Sequence, residues 1–461
     1  MKKDFRLLSV ASVLDPLAVL AAGFFRLMSL VLLCVAFLTA QAADDTQLKQ
    51  VILFGRHGVR APLEPNSVLN NFSVQSFPAF GVRASNLTAN GASLETILGG
   101  YFRLWLKQQG ALTGNNSADA AFVFFRVDQG ALIIDSAQAF AAGMLPAASV
   151  NLNVYPPAVS DPLFDPIGAG VAVLDQNMAI AAVQGRLGGK PQSLTTAYAA
   201  ELALARSVLF GYPAGETPPP ATPAGKVDVT ALPIAVTAGQ PGLPVGLGGL
   251  TLIYAATDPF VMEYADGLPA ADVGWGQLTV GGVSQTLRLD TLVLNLEFRT
   301  PYLDRVQSSN LAAHVVRSMV QAATGTALTG ALGSPSTKVV VLVAGEANLT
   351  GLAGLFNLDW VVPGYQMDDC APGGVLVFEL RQSRSTGNYV VRVSYVAQSL
   401  DQLRNLTALT LAAPPARVPV FIPGCSGSNA TFDCPLVKFE ALARQVIDPH
   451  SAGVMPWPPE Y

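Results

Sequence analysis

At 461 residues the chain exceeds what one hydrophobic core usually supports, so one large elaborated domain or two domains are expected and a lone small module is excluded. Apolar residues make up 51% and charged ones only 13%, enough to bury a core and too apolar for a disordered chain. The net charge is −5 and no Lys/Arg cluster interrupts the sequence, so the electrostatic footprint of a nucleic-acid binder is missing and no nucleic-acid partner is expected.

In chain order the first feature is an apolar run over residues 27–38, followed by Thr39-Ala40-Gln41-Ala42. The run is shorter than the roughly 20 residues of a membrane-spanning helix, and Ala40 and Ala42 form an A-x-A-like cleavage site. Residues 1–42 therefore read as a secretory signal cut after Ala42, with Met28 as an alternative start and an uncleaved anchor as the competing reading. No later stretch reads as a membrane span, so a periplasmic or secreted protein is expected, free of the membrane once cut. Export makes the cysteines readable. Cys370, Cys425 and Cys434 remain, and the last two bracket the turn-forming Ser426-Gly427-Ser428-Asn429, which makes them the natural pair and leaves Cys370 a free thiol.

Gln50-Val51-Ile52-Leu53-Phe54-Gly55 reads as a buried strand of a parallel sheet. It delivers Arg56-His57-Gly58-Val59-Arg60-Ala61-Pro62 to the carboxyl edge, where open α/β sheets bind ligands. Helical spacing follows over 91–106, through Leu94, Ile97, Leu98, Tyr101, Leu104 and Trp105, and again over about 135–144. The proline-rich stretch 212–226 is a stiff surface loop. Strand-like runs return at 291–296 and 339–343. The simplest architecture is a sheet core over 43–165 and 290–461, interrupted by an insertion over 166–289.

Hydrolysing a phosphate monoester without a metal needs a nucleophile, cationic donors for the non-bridging oxygens, and an acid for the departing alkoxide. Arg56, His57 and Arg60 offer the first two within five residues: two guanidinium forks flank an imidazole, and Gly58 lets the backbone come close. The flanking cations also favour neutral imidazole, the nucleophilic form. His314 sits in a helix-like stretch and reads as structural, and His450 carries no signal. No His/Asp/Glu cluster has ligand spacing, so neither metal nor cofactor is expected.

The run Arg56-His57-Gly58-Val59-Arg60-Ala61-Pro62 resembles the signature of the histidine acid phosphatases, in the branch of periplasmic phytases and glucose-1-phosphatases. The resemblance continues at Ala139-Phe140-Ala141-Ala142-Gly143, Asp161-Pro162-Leu163-Phe164, Gly274-Trp275-Gly276, Arg299-Thr300-Pro301, Leu352-Ala353-Gly354 through Asp359-Trp360, and Pro372-Gly373-Gly374. It implies an α/β, phosphoglycerate mutase-like sheet core flanked by helices, with an inserted mostly helical cap, a phosphohistidine intermediate on His57 and a Cys425–Cys434 disulfide. It also implies a small phosphate monoester as the partner, no metal, and a pocket-facing position for Asp258.

The departures are as informative. Where the family carries His-Asp and, two residues later, Asn, this chain reads Gly345-Glu346-Ala347-Asn348, so Glu346 takes the place of the proton donor and Gly345 that of a phosphate-binding imidazole. After Val127-Asp128-Gln129 the family's clamping Arg gives way to Gly130-Ala131-Leu132-Ile133, and Arg126 is the candidate to compensate, with a solvated surface arginine as the alternative. Leu63 replaces a hydroxyl residue that touches phosphate in many phytases. Each lost donor is worth roughly 2 to 4 kcal/mol in a transition state by analogy with oxyanion holes. An acid phosphatase acting through His57 and Glu346, with Arg56, Arg60, Arg126, Asp258 and Asn348 on the substrate, is the leading expectation. A catalytically weakened phosphate-ligand-binding protein of the same fold is the alternative, and a cytosolic-type mutase is disfavoured by export.

Overall fold

The structure, a computed structural model, describes residues 44–240 and 242–453, so the expected signal segment and its alternatives lie outside the described residues. The residues through Thr46 form a unit apart, of which Asp44 to Thr46 are described: Asp44 Oδ1 accepts hydrogen bonds from the Thr46 amide and hydroxyl at 3.0 and 2.7 Å. All that follows concerns the unit from Gln47 onward.

Its strands are β1 (Thr46–Arg56), β2 (Val123–Val127), β3 (Ile234–Gln240), β4 (Leu243–Gly248), β5 (Val339–Ala344), β6 (Val375–Ser383), β7 (Tyr389–Ala397), β8 (Ala416–Val420) and β9 (Cys434–Pro435). Seven make one sheet in the order β2-β5-β1-β6-β7-β8, with β9 attached to β7, while β3 and β4 form a separate antiparallel hairpin. β1 and β2 both run parallel to β5, whereas β7 is antiparallel to β6, β8 and β9.

The principal helices are α1 (Ala89–Gln108), α2 (Ala131–Met144), α3 (Gln176–Arg186), α4 (Ala199–Phe210), α5 (Gly249–Ala265), α6 (Val280–Phe298), α7 (Pro301–Thr324), α8 (Glu346–Leu355) and α9 (Leu436–Val446). Strand alternation sends Val51 and Leu53 of β1, with Val339, Val341 and Val343 of β5, into one apolar cluster with Leu98, Phe102, Ala137 and Phe140 of α1 and α2. Ile52, Phe54, Val340 and Leu342 enter a second cluster with Val315 and Val316 of α7 and Leu349 and Leu352 of α8. A sheet covered on both faces requires continuous apolar runs, which is why β1 and β5 were readable as buried strands.

The 91–106 and 135–144 helices are present as α1 and α2, and α1 starts where the Thr88 hydroxyl accepts the Gly91 amide proton at 2.8 Å. The strand expected at 291–296 is corrected: those residues lie inside α6. There Val283, Leu287, Asp290, Leu294 and Glu297 are buried at three- and four-residue spacing and Thr279 caps the start, so an apolar fragment of a helix had imitated a strand. The chain rejoins the sheet only at β5, after α7. The stretch expected as the cap carries α3, α4, the β3–β4 hairpin, α5 and about half of α6. Cys425 and Cys434 form a disulfide, and Cys370 is a buried free thiol hydrogen-bonded to the Thr350 hydroxyl at 3.2 Å.

Candidate active site

β1 and β5 end in register, Arg56 opposite Ala344, so the residues that follow them, His57 and Gly345-Glu346, emerge side by side at the carboxyl edge. Backbone bonds fix this edge. The Arg56 amide donates to Gly374 O at 2.9 Å, the His57 amide to Ala344 O at 3.2 Å, and the Gly373 amide to His57 O at 3.0 Å. Glycine is required at position 58 for contact rather than for conformation: a Cβ there would stand 2.9 Å from the Glu95 side chain.

Glu346 opens α8 and its carboxylate is the centre of the cluster. Oε2 lies 3.0 Å from His57 Nε2 and 3.4 Å from Arg56 Nε. Oε1 is 3.4 Å from an Arg56 terminal nitrogen and 3.9 Å from one of Arg60, and it accepts a hydrogen bond from the Tyr254 hydroxyl at 3.1 Å. Arg60 is itself held by Asp258 through two parallel bonds of 2.8 and 2.9 Å. Arg56 donates its other terminal nitrogen to Cys370 O. His57 is 3% exposed, with its reactive nitrogen covered by the Glu346 carboxylate rather than by packed hydrocarbon.

Protons in this cluster are constrained by geometry. Gly58 O can only accept, so the 2.9 Å contact assigns a proton to His57 Nδ1 and turns Nε2 toward Glu346. Burial, with Arg56 and Arg60 nearby, lowers the imidazole's proton affinity against the pull of Glu346. For Glu346, burial pushes upward, but Arg56, the His57 hydrogen bond and Arg60 outweigh it and take the carboxyl well below its ordinary value. Burial and the charges of Glu346 and Asp258 raise the Tyr254 phenol well above its ordinary value, so it remains a donor.

The other expected site residues take other roles. Arg126 is a correction: its guanidinium pairs with Asp161, donates to Val127 O and Asn153 O at 3.0 and 3.3 Å, and lies over the Phe164 ring, so it is committed to holding a loop. Asp258 orients Arg60, and Asn348 donates to Phe164 O at 2.6 Å. Ala347 and Asn348, the residues after Glu346, line a cavity of about 570 Å³ walled by Phe164, Phe298, Gln176, Gln240, Gln307 and others, with Asp165 the one ionisable residue among the described ones in its wall. His314 lies in α7 with Nδ1 2.5 Å from Gly330 O, as a structural histidine should. Tyr254 was not anticipated, although its position four residues before Asp258 puts both on one face of α5.

Among the described residues no group of His, Cys, Asp or Glu is placed to hold a metal ion, and no helix is long and apolar enough to cross a membrane. Residues 47–200 match the Histidine phosphatase superfamily (branch 2). The chain is 29% identical over 420 residues to Phytase AppA of Escherichia coli, covering 88% of this chain and 93% of that one. To a glucose-1-phosphatase of Salmonella typhimurium it is 27% identical over 417 residues, covering 89% and 95%. The solved Hafnia alvei phytase in complex with tartrate superposes with a TM-score of 0.79 at 29% identity, over 89% of this chain and 99% of that one. With the motif at a sheet edge and two arginines around its histidine, the chain is similar to the histidine phosphatase superfamily, branch 2, through its family-model match over residues 47–200 and to phytases and glucose-1-phosphatases along most of its length.

Proposed function

We propose that the protein is an exported acid phosphatase that hydrolyses simple phosphate monoesters through a phosphohistidine on His57. The observation that carries this reading is the contact of His57 Nε2 with a carboxylate that Arg56 also grips and Arg60 approaches, since groups that hold one oxyanion can hold another. His57 Nε2 attacks phosphorus while the bond to the leaving oxygen breaks, and the Glu346 carboxyl gives its proton to that oxygen. Water then attacks phosphorus, losing a proton to the Glu346 carboxylate, while the phosphorus–nitrogen bond breaks with its electron pair returning to Nε2 and phosphate departs.

Glu346 must hold a proton to act as the acid, and in the resting cluster its neighbours keep it ionised. An entering phosphoryl group brings negative charge to Arg56 and Arg60, which reverses the balance. The carboxyl then takes up a proton, while His57, with its proton on Nδ1, keeps the Nε2 lone pair free for attack. Among the described residues, the cavity lined by Ala347 and Asn348 has no Lys or Arg in its wall, which favours an uncharged alcohol portion over a polyanion such as phytate. The signal-like segment 1–42 and the Cys425–Cys434 disulfide support export in this reading.

A second reading, a weakened phosphate-ligand-binding protein, is favoured by one observation: Glu346 occupies the donors while Gly345 supplies none from its side chain. Acid quenching after mixing with a labelled phosphate monoester at acid pH separates the two. Label on wild type and none on His57→Ala supports the phosphatase. Wild type without label, but stabilised against heat by inorganic phosphate, overturns it in favour of the binder.

A further inference from the structure

We propose that Tyr254 is a substrate-binding residue: its hydroxyl donates to a non-bridging oxygen of the phosphoryl group, supplying from α5 a donor that the motif after β1 does not provide. This rests on the reading of the cluster as a phosphatase site. Four side chains converge on the two oxygens of Glu346, and three of them, Arg56, His57 and Arg60, come from the motif that follows β1. The fourth is Tyr254, at 3.1 Å from Oε1, the oxygen that Arg56 and Arg60 also face. A carboxylate and a phosphoryl group present similar acceptor oxygens, so the pocket formed around one is arranged to receive the other.

Position and chemistry agree. Tyr254 and Asp258 are one turn apart on α5, and Asp258 fixes Arg60 by two bonds, so a single helix face both orients a guanidinium and supplies a donor. Burial, and the anions Glu346 and Asp258, raise the phenol well above its ordinary value, so the hydroxyl stays a donor. Unlike an imidazole, it adds no charge. Arg60 Nε, fully buried, has no hydrogen-bond partner, so the cluster holds a further unused donor.

The test is equilibrium binding of inorganic phosphate by calorimetry, which needs no turnover, to wild type, Tyr254→Phe, Glu346→Ala and the double variant. Glu346→Ser serves as the second background should the alanine variant fail to fold. If Tyr254 touches phosphate, Tyr254→Phe weakens binding about ten-fold or more in both backgrounds, the loss expected for a hydrogen bond to a charged group. If the loss appears in wild type and vanishes without Glu346, Tyr254 acts only by holding that carboxylate and the proposal is overturned. Unchanged affinity in both backgrounds overturns it as well. Absence of phosphohistidine with phosphate binding intact would instead count against the phosphatase reading alone.

Discussion

Asp258 reaches across from α5 to hold both terminal nitrogens of Arg60, at 2.8 and 2.9 Å, in a pair almost wholly shielded from water. The charge of a guanidinium with no exposed surface must be compensated locally. Removing the carboxylate in Asp258→Ala leaves that charge buried, and should cost about 3 to 5 kcal/mol of stability. Urea unfolding of the variant beside wild type checks the value. A loss under about 1 kcal/mol would mean that Arg60 finds another anion, with Glu346 the nearest candidate.

Glu346 is expected to split the kinetic constants in opposite directions. As the acid, its loss in Glu346→Ala should lower kcat about 10²- to 10⁴-fold for alkyl phosphates, whose leaving groups need a proton. For p-nitrophenyl phosphate, whose leaving group does not, the fall should be far smaller. As a carboxylate occupying the donors of Arg56 and His57, its removal should tighten inhibition by inorganic phosphate. Measuring both in one variant is decisive: equal falls for both substrates would remove the acid role, and weaker phosphate inhibition would remove the competing one.

The sheet core and the placement of His57 at its edge were legible because their signals are local. β1 and β5 are continuous apolar runs, and the Arg-His-Gly-x-Arg-x-Pro motif directly follows the first. Glu346, the proposed acid, was picked out only through the resembling family, and the geometry sets its carboxylate against His57. Three things were not legible. Residues 291–296 misled because six apolar-rich residues fit either period, and only the buried positions of all of α6 decide. Arg126 was near the site in sequence, but strand alternation sends Phe125 and Val127 into the core cluster and Arg126 toward Asp161 and Phe164. Tyr254 lies 92 residues before its partner Glu346, a pairing that only the tertiary fold creates.

Stability should fall as pH rises from acid to neutral. Burial raises Glu95, Glu263 and Glu297 to about 8 and Asp304 and Asp369 to about 7. Each binds its proton more tightly folded than unfolded, so its contribution is whole below the ordinary carboxyl range and is lost as pH climbs toward 7 to 8. Glu346 and, in part-buried pairs with Arg206 and Arg392, Asp228 and Asp433 are shifted down, and their contribution disappears on strong acidification. The thermal midpoint should therefore peak in mildly acidic buffer. Glu95→Gln, which keeps shape without a proton to lose, should flatten the decline between pH 5 and 8. A midpoint that rises over that interval, or an unaltered decline in the variant, would contradict the assignment.

Gly345 offers the most direct gain of function. It precedes Glu346 as the residue that caps α8, its φ of −78° suits any L-residue, and a Cβ built there meets nothing within 4 Å. The position is the one at which the resembling family carries a phosphate-binding imidazole, so Gly345→His restores a donor type at the missing place without a backbone penalty. Two nearby arginines favour its neutral form, which still donates through one ring nitrogen. Because removing one preorganised donor from an oxyanion site costs about 10²- to 10³-fold in kcat, restoring one should raise kcat/KM for a simple monoester by ten-fold or more, some being lost to imperfect placement. The measurement is kcat/KM of Gly345→His beside Gly345→Ala, which shares the space but not the donor. A rise in the histidine variant alone supports the missing-donor account; equal activities in the two, both folded, would show that the imidazole's absence is not what limits this site.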